Sequence, residues 1–162
     1  MKILKFVISI LAIFIFFIGC SKSENNAMCR ANLENTGVYE TKGVPRFNQV
    51  KWKYDTGAEF IPSPTISNGI VYFGSDNNYF CALDSQTGKE KWKLEIGGSI
   101  CTSPAVSKGT VYFGSCDNNF YVLDAQTGQQ KWKFETYGSI YSSPAISNGT
   151  VYFGSDYLYA IE

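Results

Sequence analysis

Ala82–Trp92 reads A-L-D-S-Q-T-G-K-E-K-W, and Val122–Trp132 reads V-L-D-A-Q-T-G-Q-Q-K-W, forty residues later without a gap. Trp52 precedes Trp92 by the same forty residues, and each tryptophan follows a lysine: Lys51, Lys91 and Lys131. A fixed period of this length marks a repeat architecture, whose units bury their apolar surface only by stacking on one another. The pairs Ser63-Pro64, Ser103-Pro104 and Ser143-Pro144 keep the same step.

Each serine-proline pair is followed by a hairpin signal: Ser67-Asn68-Gly69, Ser107-Lys108-Gly109 and Ser147-Asn148-Gly149. A two-residue type I′ turn needs positive φ at both central positions, which Asn-Gly supplies at least cost. The next strand, V-Y-F-G-S at Val71, Val111 and Val151, is apolar on both alternating sides and is expected to be covered on both faces. A second turn is placed at Asp76-Asn77-Asn78 and at Asp117-Asn118-Asn119; a third strand, Tyr79 to Leu83, then leads through D-x-Q-T-G into the tryptophan strand. Each unit is thus four short antiparallel strands, A to D. Counting outward from Asn68-Gly69 sets Pro64 opposite Phe73 at a non-hydrogen-bonded pair, which makes A an edge strand. The lysines around each tryptophan suit the opposite edge, where charge discourages sheet-to-sheet pairing. The expected fold is all-β: β-propeller blades of four antiparallel strands, about three repeats, in a partial or open propeller.

The pattern A-x-D-x-x-T-G-x-x-x-W resembles the blade motif of the pyrroloquinoline-quinone (PQQ)-like β-propeller repeat family. Ala82, Asp84, Thr87, Gly88 and Trp92 match it, the second copy departs only at Val122, and the third breaks off at Ala160-Ile161-Glu162 with a B–C turn two residues shorter. The resemblance implies that Trp92 and Trp132, and with them Trp52, dock against the neighbouring blade. Asp84 and Asp124, with Thr87 and Thr127, fix the turn, while Gly88 and Gly128 supply positive φ. The repeats occupy residues 51–162: a D strand at Trp52, complete units at 62–93 and 102–133, and A-B-C at 142–162. The family includes quinoprotein dehydrogenases, which use PQQ and calcium, and non-catalytic lipoproteins, including an outer-membrane barrel-assembly scaffold. Full members have about eight blades, and eight forty-residue repeats need about twice the 162 residues of this chain.

Residues 1–19 are expected to be a lipoprotein signal peptide. Lys2 and Lys5 precede an apolar run from Phe6 to Ile18, too short for a comfortable membrane span. Phe17-Ile18-Gly19-Cys20 resembles the bacterial lipobox, which makes Cys20 the lipidated N-terminus, and Ser21 in place of aspartate resembles an outer-membrane sorting signal. Residues 20–50 are read as a lipidated tether and N-terminal extension that holds the protein at the membrane without crossing it.

Lysine plus arginine total 14 and aspartate plus glutamate 14, so no basic surface for nucleic acid is expected. Histidine is absent, which removes the usual base and the commonest metal ligand. No catalytic, cofactor or metal residues emerge; PQQ and calcium enter only with the dehydrogenase alternative. Counting outward from Lys108-Gly109 sets Cys101 opposite Cys116, where the sister blades carry Ile61 with Asp76 and Tyr141 with Asp156. A paired departure in an exported protein invites a disulfide. The hydrogen-bonded register suits such a bridge less well, so two independent thiols are the favoured reading and the disulfide the other. Cys81 reads as core, and Cys29 lies in the tether. The lysine band along the tryptophan strands is diluted by Glu90, Glu95 and Glu135 and reads as a solvated edge. The expectation is an exported, non-enzymatic, membrane-tethered binding or scaffold protein of the cell envelope. Its partners are the membrane, other proteins, or further copies meeting at its open blade ends; the favoured reading of those ends is that the chain is a truncated piece of a longer gene product. The alternative is a fragment of a PQQ-dependent dehydrogenase.

Overall fold

The computed structural model describes residues 46–59 and 61–162. The signal peptide, Cys20, Cys29 and most of the tether lie outside the described residues.

Among the described residues, eleven strands form three antiparallel sheets. The first is β1 (Thr65–Ser67), β2 (Ile70–Gly74), β3 (Tyr79–Asp84) and β4 (Glu90–Glu95), in that spatial order. The second repeats it with β5 (Ala105–Ser107), β6 (Thr110–Gly114), β7 (Asn119–Asp124) and β8 (Gln130–Glu135). The third has β9 (Ala145–Ser147), β10 (Thr150–Gly154) and β11 (Leu158–Ile161). This is an all-β partial propeller.

Turn chemistry sets the registers. Asn68 and Gly69 take φ 49° and 75°, so Ser67 pairs with Ile70; Lys108-Gly109 and Asn148-Gly149 repeat the turn at φ 47°/71° and 50°/87°. The second turn of the middle sheet is Cys116-Asp117-Asn118, one residue earlier than expected. Asn118 (φ 67°) is the counterpart of Asn78 (φ 71°), and Asn119 already belongs to β7. Strand A starts after its proline, at Thr65, Ala105 and Ala145. The D strands pair through a bulge: Ala82 faces Trp92 but Leu83 faces Glu90, leaving Lys91 as the extra residue, and Lys131 is its equivalent in the second sheet. A bulge there adds twist at the sheet edge and helps keep it from pairing further.

The cores lie between the sheets. Ile70, Tyr72, Phe80 and Ala82 of the first sheet meet Val111, Phe113, Tyr121 and Leu123 of the second. Phe120 and Val122 meet Val151 and Phe153 of the third. One ring pair repeats at both interfaces: Phe80 on Phe113 at 4.1 Å between centroids and Phe120 on Phe153 at 4.0 Å, both stacked. Such pairs contribute about 0.5–1.5 kcal/mol beyond their buried area. The inner strands are also joined: the Thr65 hydroxyl donates to Pro104 O at 2.6 Å, and Ser103 N–H to Ser143 Oγ at 3.0 Å.

Two further expectations need correction. β2 is buried throughout, but β10 alternates, with Tyr152 40% exposed, because among the described residues no further sheet covers its second face. Residues 51–55, expected as a D strand around Trp52, form no strand. A strand needs a partner ladder, and among the described residues no C strand lies beside this stretch.

Candidate functional site

The corner between strands C and D is built from the motif itself. Asp84 Oδ1 accepts from Gln86 N–H (3.0 Å), Thr87 N–H (2.8 Å) and the Thr87 hydroxyl (2.8 Å). Gly88 N–H donates to Asp84 O at 2.8 Å, with Gly88 at φ 70°. Asp124, Thr127 and Gly128 repeat the arrangement, with Gly128 at φ 72°. The Thr87 hydroxyl, then its N–H, holds the Asp84 carboxyl below its ordinary range; the Thr127 N–H and hydroxyl do the same for Asp124. Both carboxylates therefore serve their own loops.

The bare glycine face of each corner receives an indole. A Cβ on Gly128 would stand 2.7 Å from Trp92 Cδ2, and one on Gly88 2.6 Å from Trp52 Cδ2. Trp92 Nε1–H donates to Ala125 O and Trp52 Nε1–H to Ser85 O, each at 3.1 Å. The dock is thus the same at both corners, although Trp52 is in no strand. Trp132 differs: it packs at 6.5 Å from Phe120 of its own sheet and is 39% exposed. No corner lies against it, because the third sheet has no D-x-x-T-G turn within residues 46–162.

A second close approach was not read from the sequence. Gly74 and Gly114, at the ends of β2 and β6, lie under Ile100 and Ile140: a Cβ there would stand 2.2 Å from the Cγ2 of each isoleucine. Ile100 and Ile140 are fully buried, and each N–H donates to the carbonyl of the serine that follows the glycine, Ser75 O or Ser115 O. The repeated Gly-Ser-Ile at 98–100 and 138–140 was the available signal.

Cys101 and Cys116 are brought together with sulfurs 3.7 Å apart, as free thiols, while Cys81 is buried elsewhere in the first sheet. Burial, and then the hydrogen bond from Cys116, raises the Cys101 pKa; burial pushes the Cys81 thiol up to about 11. Among the described residues no group of three or more His, Cys, Asp or Glu is placed to hold a metal ion.

Two surfaces remain open. An apolar cleft of about 180 Å³ lies against the first sheet, lined by Trp52, Tyr54, Ile61, Pro64, Val71 and Phe73 among others. At the far end of the stack the third sheet exposes Tyr141, Tyr152, Tyr157 and Leu158. Exposed apolar surface of this extent marks an interaction site more often than bare solvent contact.

Four-stranded blades stacked face to face, with a tryptophan from one seated on the next blade's aspartate-threonine-glycine corner, define a segment of a β-propeller with PQQ-like repeats. The family model described as outer membrane protein assembly factor BamB (PQQ_2) matches residues 44–162, and the chain belongs to this family. No curated protein matches it. Among solved structures it is similar to the quinohemoprotein alcohol dehydrogenase ADHIIG of Pseudomonas putida HK5, at 28% identity and a TM-score of 0.55. That match covers 65% of this chain and 18% of that one. It is also similar to the quinohemoprotein alcohol dehydrogenase of Comamonas testosteroni, at 25% identity and a TM-score of 0.53, covering 57% and 16%. A europium-containing methanol dehydrogenase shares the fold, at 20% identity and a TM-score of 0.57, covering 69% and 23%. The chain therefore spans less than a quarter of each of these structures.

Proposed function

We propose that the chain is a non-enzymatic β-propeller lipoprotein of the cell envelope. It would be tethered through lipidated Cys20 to the outer membrane and act as a binding or scaffold module. The observation that carries this reading is the match of residues 44–162 to a family described as an outer membrane assembly factor. The motif chemistry supports it: Asp84 and Asp124 are occupied by their own turns, and the tryptophans serve blade contacts. Recognition would fall to the blade-connecting loops and to the exposed tyrosines of the third sheet, which suit protein surfaces.

The second reading, a segment of a PQQ-dependent dehydrogenase, is favoured by the 28% identity to a quinohemoprotein alcohol dehydrogenase. Titrating the protein with PQQ and calcium in a calorimeter separates the two. The scaffold reading expects no heat of binding, and stoichiometric binding of PQQ would overturn it. Radiolabelled palmitate supplied to expressing cells tests the tether: label on the native chain and none on Cys20→Ser is expected, and equal labelling would refute the assignment.

A further inference from the structure

The second sheet carries two thiols at positions where its sisters have none. Cys101 stands where they have Ile61 and Tyr141, and Cys116 where they have Asp76 and Asp156. The two sulfurs lie 3.7 Å apart, and both side chains are half-buried, within reach of a small reagent. The counted register made them a hydrogen-bonded ladder pair, whose wide spacing suits a cross-strand bridge less well. The ladder ends before it reaches them: Ala105 with Tyr112 is the last pair of β5 and β6 on that side. Beyond it the Thr102 hydroxyl takes the backbone's place, accepting from Gly114 N–H at 3.0 Å and donating to Gly114 O at 2.9 Å. Cys116 N–H donates to Ser99 O at 2.9 Å, two residues short of Cys101. The ladder spacing that disfavours a bridge therefore does not govern this pair.

Each thiol sits on a segment anchored to a different neighbour. Cys101 follows Ser99 and Ile100, which grip the first sheet: the Ser99 hydroxyl donates to Asp76 O at 2.8 Å and Ile100 N–H to Ser75 O at 3.0 Å. Cys116 belongs to the turn that grips the loop entering the third sheet. Its carbonyl accepts from the Ser139 hydroxyl at 2.9 Å, and Ser115 O accepts from Ile140 N–H at 3.1 Å. The two thiols thus stand between one sheet-to-sheet anchor and the next. A bond between them would tie the loop held by the first sheet to the turn that holds the third. Cys81, 2% exposed in the first sheet, is closed to the same reagent.

We propose that Cys101 and Cys116 form a dithiol site for thiol–disulfide exchange, closed into a bridge by a small disulfide oxidant and reopened by a thiol reductant. One cysteine, as thiolate, attacks a sulfur of the oxidant; a mixed disulfide forms and one oxidant thiolate leaves. The second cysteine gives its proton to water and attacks the mixed disulfide, forming the Cys101–Cys116 bond and releasing the other oxidant thiolate. The pair loses two electrons and two protons, and the oxidant disulfide becomes two thiols. Closure brings the sulfurs from 3.7 Å to a bonded distance of about 2.05 Å, a step on the scale of rotation about the Cα–Cβ bonds. Burial, then the hydrogen bond from Cys116, holds the Cys101 thiol above its ordinary range, so the pair exchanges slowly and acts as a latch rather than a catalyst of exchange. In the oxidised chain the loops joining the three sheets are held by a covalent link as well as by hydrogen bonds. This inference rests on the thiols and their anchors and stands whether or not the scaffold reading holds.

The test uses the detergent-solubilised full chain of native sequence, reduced and then equilibrated in glutathione buffers of rising glutathione disulfide content. Peptide mass spectrometry without reduction is expected to show a cross-link between Cys101 and Cys116, with Cys81 unmodified. Cys101→Ser and Cys116→Ser should each carry glutathione on the remaining thiol of the pair instead. Backbone hydrogen exchange at Ile100, Cys116 and Ile140 should slow at least about tenfold on oxidation of the native chain, and dithiothreitol should restore the faster rates. That comparison sets two redox states of one sequence side by side and needs no variant to fold. Separate glutathione adducts on Cys101 and Cys116 of the native chain, a cross-link that forms only in urea, or equal exchange rates in the two states would overturn the proposal.

Discussion

Gly128→Ala tests the docking of one blade on the next. Two costs add. Gly128 sits at φ 72°, where an alanine loses about 1–2 kcal/mol. Its Cβ would also meet Trp92 Cδ2 and Cε3 at 2.7 Å. The flat indole cannot fold away from that contact, and sliding out stretches its bond to Ala125 O and loosens its packing on Phe80 and Tyr72. Overpacking of this kind costs about 1–3 kcal/mol and a weakened hydrogen bond about 1. Lower unfolded-state entropy returns about 0.4–1 kcal/mol. The net loss expected is roughly 2–6 kcal/mol. Gly109→Ala is the control, because Gly109 has φ 71° and nothing within 4 Å of its Cβ position. Urea unfolding followed by tryptophan emission should show Gly128→Ala less stable than Gly109→Ala by about 2–4 kcal/mol. The gap should close in a Trp92→Ala background. Equal losses for the two glycines, or a gap that survives removal of Trp92, would refute the docking argument.

Gly114→Ala places a Cβ 2.2 Å from Ile140 Cγ2 and should cost about 3 kcal/mol; combined with Ile140→Ala, the double variant should lie about 1–3 kcal/mol above the sum of the singles by urea unfolding. Cys101 and Cys116 should oxidise together under glutathione disulfide, seen as one cross-linked peptide by mass spectrometry. Closing that loop should stabilise the fold by about 3 kcal/mol, while Cys81, buried with its pKa near 11, stays unalkylated until the chain unfolds. The Asp84 and Asp124 carboxyls are lowered in the folded state, so the unfolded chain takes up protons first as pH falls. Stability should be level above about pH 4 and decline as pH drops through the folded values. Asp124→Asn should flatten that decline between pH 4 and 2 in thermal melts, and an unchanged slope would exclude the corner as its source.

The blade plan was legible because local chemistry dictates it. Asn-Gly turns set the A–B register, and the alternation of Val71, Tyr72 and Phe73 sets two buried faces. The second turn was misplaced by one residue in the middle repeat because the triplet Asp-Asn-Asn recurs there offset by one. Backbone sign at Asn78 and Asn118 resolves it, and residue identity alone does not. Lys-Trp-Lys at 51–53 reads as a strand wherever it occurs, but a strand forms only beside a partner, so that stretch keeps the docking contact without the ladder. The Gly74–Ile100 and Gly114–Ile140 contacts depend on the spacing between sheets, which no local pattern encodes. Function was least legible, since the strongest motif spends its polar groups on its own turn.

The central claim is that an indole from one unit locks onto the next unit's corner, and that residues 46–59 hold an outer-strand position by the same lock. Hydrogen exchange at the three indole N–H groups, resolved by NMR, tests it most directly. Trp52 and Trp92, bonded to Ser85 O and Ala125 O, should exchange slowly and Trp132, 39% exposed, rapidly. A Trp52 indole exchanging as fast as that of Trp132 would contradict the account.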